Sequence, residues 1–143
     1  SRAHERRTRL ANGVERKAGG RLFREPWFHV GAYVMVIFAL SLQPGLQVPG
    51  TFEYRDKFAH LLEYGGLGWL VFRAAVKTWP ATGSVRRALL TILAVSALGA
   101  CDEKLQAGVP GRDSTVSDWI ADTVGVSMSQ ALCLALGKRP GWA

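Results

Sequence analysis

The sequence predicts an all-α fold: an integral membrane four-helix bundle with both termini cytoplasmic. Three observations carry that expectation. Four apolar segments, at 27–42, 57–75, 87–101 and 118–137, occupy half of a 143-residue chain. Each has about the 15–20 residues needed to cross a hydrocarbon core when the interfacial ends are counted. The charges are segregated, with eight of the eighteen Lys and Arg in the first 26 residues and long later stretches carrying none. Basic and acidic residues also fall on opposite sides of the apolar runs. A backbone in lipid must satisfy its own hydrogen bonds, so runs of this length are helices. A soluble bundle would need more polar face than these segments offer.

The order along the chain begins with a basic tail, 1–26, bearing Arg2, Arg6, Arg7, Arg9, Arg16, Lys17, Arg21 and Arg24. Gly19-Gly20 breaks any helix there before Arg21. The tail is long and the first apolar run exceeds a short h-region, so the expectation is a retained segment rather than a cleaved signal peptide. The membrane domain spans 27–139, and 140–143 is a short C-terminal tail. Its first run, WFHVGAYVMVIFALSL, is ended by Pro44 and Pro49. The second, KFAHLLEYGGLGWLVFRAA, carries Gly65, Gly66 and Gly68, which with Gly125 permit close helix approach. The third, RALLTILAVSALGAC, holds no charge between Ala88 and Cys101. The fourth, DWIADTVGVSMSQALCLALG, is preceded by Thr115, which with Asp118 forms a capping-box pattern. Cys101 and Cys133 lie inside apolar runs and read as small buried residues.

Orientation follows from the basic residues. The tail's eight, Arg73, Lys77, Arg86 and Arg87 beside the second link, and Lys138 and Arg139 fall on one side, fourteen of the eighteen. Arg55, Lys57, Lys104 and Arg112 fall on the other. The two short links around 43–56 and 102–117 therefore face outward. The isoelectric point near 10 comes from residues flanking apolar segments, not from a basic folded surface, so nucleic acid is excluded as a partner.

Eight of the eleven acids map to the outer links or outer halves of the spans: Glu53, Asp56, Glu63, Asp102, Glu103, Asp113, Asp118 and Asp122. Asp56, His60, Glu63 and Tyr64 stand at i, i+4, i+7 and i+8, one helix face. Asp102 and Gln106 are i, i+4, with Glu103 beside them. Asp118, Asp122, Gly125 and Ser129 form a third stripe. Ionisable groups at membrane depth cost about 2.5–3.5 kcal/mol each on insertion scales, so Glu63 and Asp122 should face the interior and pair with Lys57, His60, Lys104 or Arg112. One histidine among excess carboxylates reads as an ion-pair partner, so no metal and no cofactor is expected. The alternative hard donors are His60 and Glu63 with Asp118 or Asp122. A proton or ion path looks incomplete, because the cytoplasmic half offers mainly Ser127, Ser129 and Gln130.

The stretches DKFAHLLEYGGLG and DEKLQAGVPGRDSTVSDWIADTVG resemble the VanZ-like family. Its pattern is Asp-Lys-x-x-His-x-x-x-Tyr opening one span, then an acidic pair, a Gln, a Pro-Gly-Arg turn and Asp-x-x-x-Asn/Asp-x-x-Gly. Carried over, these are Asp56, Lys57, His60 and Tyr64, then Asp102, Glu103, Gln106, Gly111, Arg112, Asp118, Asp122 and Gly125. Many relatives have His before the Gln, where this chain has Leu105. The resemblance implies a small multi-pass protein of the bacterial cytoplasmic membrane, in a family linked to teicoplanin susceptibility. Expected ligand-binding residues are Asp56, Lys57, His60, Tyr64, Asp102, Glu103, Gln106, Arg112, Asp118 and Asp122. Arg112 would fork onto a phosphate or carboxylate, with Lys57 as second cation. His60 with Glu63 or Asp118 would move a proton, and these three are the catalytic candidates if there is turnover. Against turnover, the chain has no Gly-rich phosphate loop, and no nucleophilic Ser, Thr or Cys has an evident base beside it. The expected partners are membrane lipids, a phospholipid or cell-wall precursor headgroup among them. The alternative is a non-catalytic accessory subunit held by other membrane subunits.

Overall fold

The computed structural model describes residues 25–45, 54–112 and 114–137. Most of the basic tail with Gly19-Gly20, Pro49, Glu53, Asp113, Lys138, Arg139 and the C-terminal tail lie outside those residues, and the expectations placed on them stand as made. Four helices follow one another: α1 (Pro26–Ser41), α2 (Arg55–Thr78), α3 (Ser84–Gln106) and α4 (Val116–Leu136). The fold is all-α, as expected, and successive helices alternate in direction. Ser41 at the end of α1 bonds Asp102 near the end of α3, and Lys57 in the first turn of α2 bonds Asp118 in the first turn of α4. Trp27 at the start of α1 bonds Thr78 at the end of α2, at the opposite end of the bundle.

Each boundary has a local cause. Pro26 sits in the first turn of α1, where its missing N–H costs nothing. α2 stops at Trp79, whose backbone (φ −128°, ψ 67°) leaves the helical region because Pro80 follows. α3 extends through Asp102 and Glu103 to Gln106, a turn beyond the apolar run. α4 begins with the anticipated capping box: the Thr115 side chain accepts from the Asp118 N–H, and Asp118 Oδ2 accepts from the Thr115 N–H at 3.2 Å. Gly111 closes the turn between α3 and α4 at φ 76°, in the left-handed region that favours glycine. That turn rests on the end of α1, where the Gly45 N–H donates to the Pro110 carbonyl at 3.3 Å.

Two helices, α3 and α4, are long and apolar enough to span a membrane, and α1 is a shorter apolar helix. At 1.5 Å per residue α1 reaches about 24 Å. α2 is longer, but Arg55, Asp56, Lys57, Glu63, Arg73 and Lys77 keep its composition mixed. Only 28% of the apolar window of α3 and of α4 lies inside the bundle, whereas a soluble core helix would be mostly covered. Met35, Leu62, Leu93, Val124 and Met128 point outward while Asp102, Asp118 and Asp122 are fully buried. That inversion suits a bundle whose solvent is lipid. Trp27 and Trp79, packed edge to face at 5.6 Å, ring one end, and Tyr54 and Trp119 the other, where aromatic belts belong.

The core has two layers. Ile37, Tyr64, Leu67, Val95 and Val126 pack in the half nearer the polar residues, and Phe72, Ala88 and Cys133 in the other. The closest helix pair is α2 and α4: a Cβ on Gly65 would lie 3.3 Å from the Gly125 carbonyl oxygen, and one on Gly125 would run into the Leu61 carbonyl. One residue departs from the sequence expectation. Cys101 is exposed, not buried like Cys133, because it lies on the face of α3 turned away from the other helices. Arg87 flanks the α2–α3 link, as expected, and is buried there. Its guanidinium donates to the Trp79 and Thr82 carbonyls at 3.0 and 2.6 Å and covers the Phe72 ring, so it holds the α2–α3 turn together.

Candidate functional site

The three polar stripes converge at the end of the bundle that carries the α1–α2 and α3–α4 links. α2 presents His60 and Tyr64 inward, with Asp56 and Lys57 a turn nearer the end. α3 presents Asp102, Glu103 and Gln106, all buried, and α4 presents Asp118 and Asp122.

The pairings are specific. Lys57 Nζ donates to Asp118 Oδ1 at 2.9 Å, and its side chain is 37% exposed against 2% for Asp118. Asp118 Oδ2 also accepts from the Thr115 hydroxyl at 2.6 Å, so one carboxylate serves both the cap and the ion pair. His60 Nδ1 lies 3.0 Å from Asp122 Oδ1 and 3.7 Å from Glu103 Oε1. Tyr64 donates its hydroxyl to Asp102 Oδ2 at 3.2 Å. The Ser114 hydroxyl lies 2.7 Å from both the Glu103 carbonyl and Glu103 Oε2. Its single proton serves one of them at a time.

Asp122 pairs with His60, one of the four partners that the sequence offers for it. Glu63 is half-buried on the same face of α2, within electrostatic reach of His60 first and of Arg112 in the α3–α4 turn last. Glu103 Oε1 is the second carboxylate oxygen close to His60. Lys104 is exposed and stays outside the cluster. Gln106 is buried one turn beyond Asp102.

Two contributors escape sequence reading. Ser41, buried at the end of α1, donates to Asp102 Oδ2 at 2.7 Å, so all four helices build the site. A lone serine after an apolar run gives no periodic signal. Ser114 anchors Glu103 from the turn, and only the folded loop brings it there.

Among the described residues, several buried carboxylate oxygens have no hydrogen-bond partner: Asp102 Oδ1, Glu103 Oε1 and Asp122 Oδ2. Orphaned buried acceptors are costly, about 1–3 kcal/mol each and more when charged. They mark the cluster as short of donors or of positive charge. A separate apolar cavity of about 660 Å³ lies between α1, α2 and α3, with Trp27, Val34, Leu67, Val71 and Leu98 among its walls and Arg86 and Arg87 toward the α2–α3 turn. None of the predicted site residues lines it.

A family model described as VanZ/LLP1 matches residues 19–137 of the chain. No curated protein matches it, and no solved structure does.

Proposed function

Because the chain belongs to the VanZ/LLP1 family, we propose that it is a four-span protein of the bacterial cytoplasmic membrane that recognises an envelope-lipid or cell-wall-precursor headgroup at the polar end of its bundle. The observation that carries this is the set of orphaned carboxylate oxygens on Asp102, Glu103 and Asp122, buried at the end of the bundle where Lys57 pairs with Asp118 and the α3–α4 turn carries Arg112. Most buried acceptors in native proteins find a partner, in the protein or in ordered water, so three orphans in one cluster call for a donor. A headgroup carrying both a phosphate and hydroxyl or ammonium donors complements the arrangement, with the phosphate on Lys57 and Arg112 and the donors on the acids.

The basic-residue bias sets the polar end outward and both termini in the cytoplasm. In a cysteine-free variant (Cys101→Ser with Cys133→Ala), a cysteine at Gln43 should react with a membrane-impermeant maleimide on intact cells. One at Thr82 should react only after permeabilisation. Labelling in the opposite order would invert the bundle and leave the site facing the cytoplasm.

The headgroup itself is tested by a lipid and small-molecule inventory of the purified protein by mass spectrometry. The expected result is a co-purifying phosphate-bearing lipid or precursor that is lost in Lys57→Ala and Arg112→Ala. An inventory unchanged in both variants, with other membrane subunits purifying in stoichiometric amount, would replace this function with that of an accessory subunit.

A further inference from the structure

We propose that His60, Glu103 and Asp122 form a binding site for a divalent transition-metal ion, which the headgroup phosphate completes. The ion's role rests on the headgroup function proposed above; its place does not. One residue comes from each of α2, α3 and α4, and one ligand atom from each lies within 4.8 Å of the other two. His60 Nδ1 stands 3.0 Å from Asp122 Oδ1 and 3.7 Å from Glu103 Oε1. Nitrogen and oxygen ligands held about 2.0–2.1 Å from a tetrahedral ion are about 3.4 Å apart. The two observed spacings bracket that value, so small side-chain adjustments would admit the ion.

A second observation is independent of the clustering. Glu103 is 7% exposed, Ser114 reaches its Oε2, and its Oε1 is aimed toward His60 without a hydrogen-bond partner among the described residues. Asp122 is fully buried. The imidazole Nδ1 carries one proton and makes one good hydrogen bond. At 3.0 Å that bond goes to Asp122, which leaves Glu103 Oε1 without a donor. A metal ion in place of the proton binds all three.

Charge supports the same conclusion. Asp102, Glu103, Asp118 and Asp122 are buried together, and Lys57 is paired with Asp118. Uncompensated buried carboxylates are expensive, and they would repel the phosphate that Lys57 and Arg112 attract. A divalent ion offsets most of that negative charge, and three protein ligands leave a coordination position open for a phosphate oxygen. A second trio, Asp56, His60 and Asp118, shares the histidine. It is the weaker candidate, because Asp118 already serves Lys57 and the α4 cap.

The experiment is metal analysis of the full chain in detergent, first as purified and then stripped with chelator and titrated with Zn²⁺ or Mn²⁺. The expected result is uptake of about one ion per chain with a raised melting temperature. Changes to outer-shell partners of metal ligands already cost about 10–100-fold in affinity, so Glu103→Gln and Asp122→Asn should cost at least that. Glu25→Gln, at the far end, should bind as the parent does. Stripped, folded parent protein that takes up neither ion overturns the proposal, and this arm decides the matter if the variants do not fold. Loss of uptake in Glu63→Gln with retention in Glu103→Gln overturns it as well. An ion without a co-purifying lipid leaves the metal site standing and removes the headgroup function; a lipid without an ion does the reverse.

Discussion

His60→Ala is expected to destabilise the folded bundle by about 3–5 kcal/mol, the usual cost of removing one partner from a buried charged pair. The residue is 5% exposed and is the nearest basic group to both Asp122 and Glu103. Its loss strands two buried carboxylates on different helices and leaves a cavity between them. Truncating Asp122 as well should recover part of the loss, since the penalty comes from the orphaned charge more than from the missing contact. Thermal unfolding of the purified protein in detergent, with monodispersity as a second readout, measures both effects. A cost under about 1 kcal/mol, the range of solvated surface pairs, would mean that water reaches the cluster and that its pairs are not structural.

The second large effect is steric. Gly125→Val should cost at least about 1–3 kcal/mol, as overpacked cores do, because its Cβ would meet the Leu61 carbonyl, a backbone atom that cannot turn aside. The helices must separate, and the same displacement moves His60, one residue from Leu61, away from Asp122. The variant should therefore lose both stability and whatever the polar end binds. Gly31→Ala is the control. A Cβ there meets nothing within 4 Å, and alanine favours the helix by about 1 kcal/mol over glycine. Equal melting temperatures for Gly125→Val and Gly31→Ala would mean that α2 and α4 are farther apart than described.

Much of the site was legible in advance, because its residues repeat at helical spacing. Asp56, His60 and Tyr64 on one face of α2, and Asp118 and Asp122 on one face of α4, follow from 3.6 residues per turn alone. The cap at Thr115 was legible for the same reason, being a contact between residues three apart. Partner choice was legible only as a set: His60 is one of four basic residues offered to Asp122, and the fold selects it. Glu63 sits on the right face of α2 but three residues from His60, and the imidazole turns across the bundle to α3 and α4 instead. Nothing local reveals that the Trp79 and Thr82 carbonyls are left for Arg87 to bind.

The sequence by itself determined the four helices, the breaks at Pro44 and the Pro110-Gly111 turn, their inward polar stripes and the family. These depend on backbone geometry and side-chain periodicity, which act over a few residues. Only the tertiary structure decided that Lys57 meets Asp118, that His60 meets Asp122 and Glu103, and that Ser41 reaches Asp102. Those contacts join residues about 40–60 positions apart, and their register is set by how closely α2 approaches α4 at Gly65 and Gly125 and by the turn that seats Gly111 against Gly45. Periodicity tells which face of a helix is polar; the depth and rotation at which two helices pack tell which atoms on those faces touch.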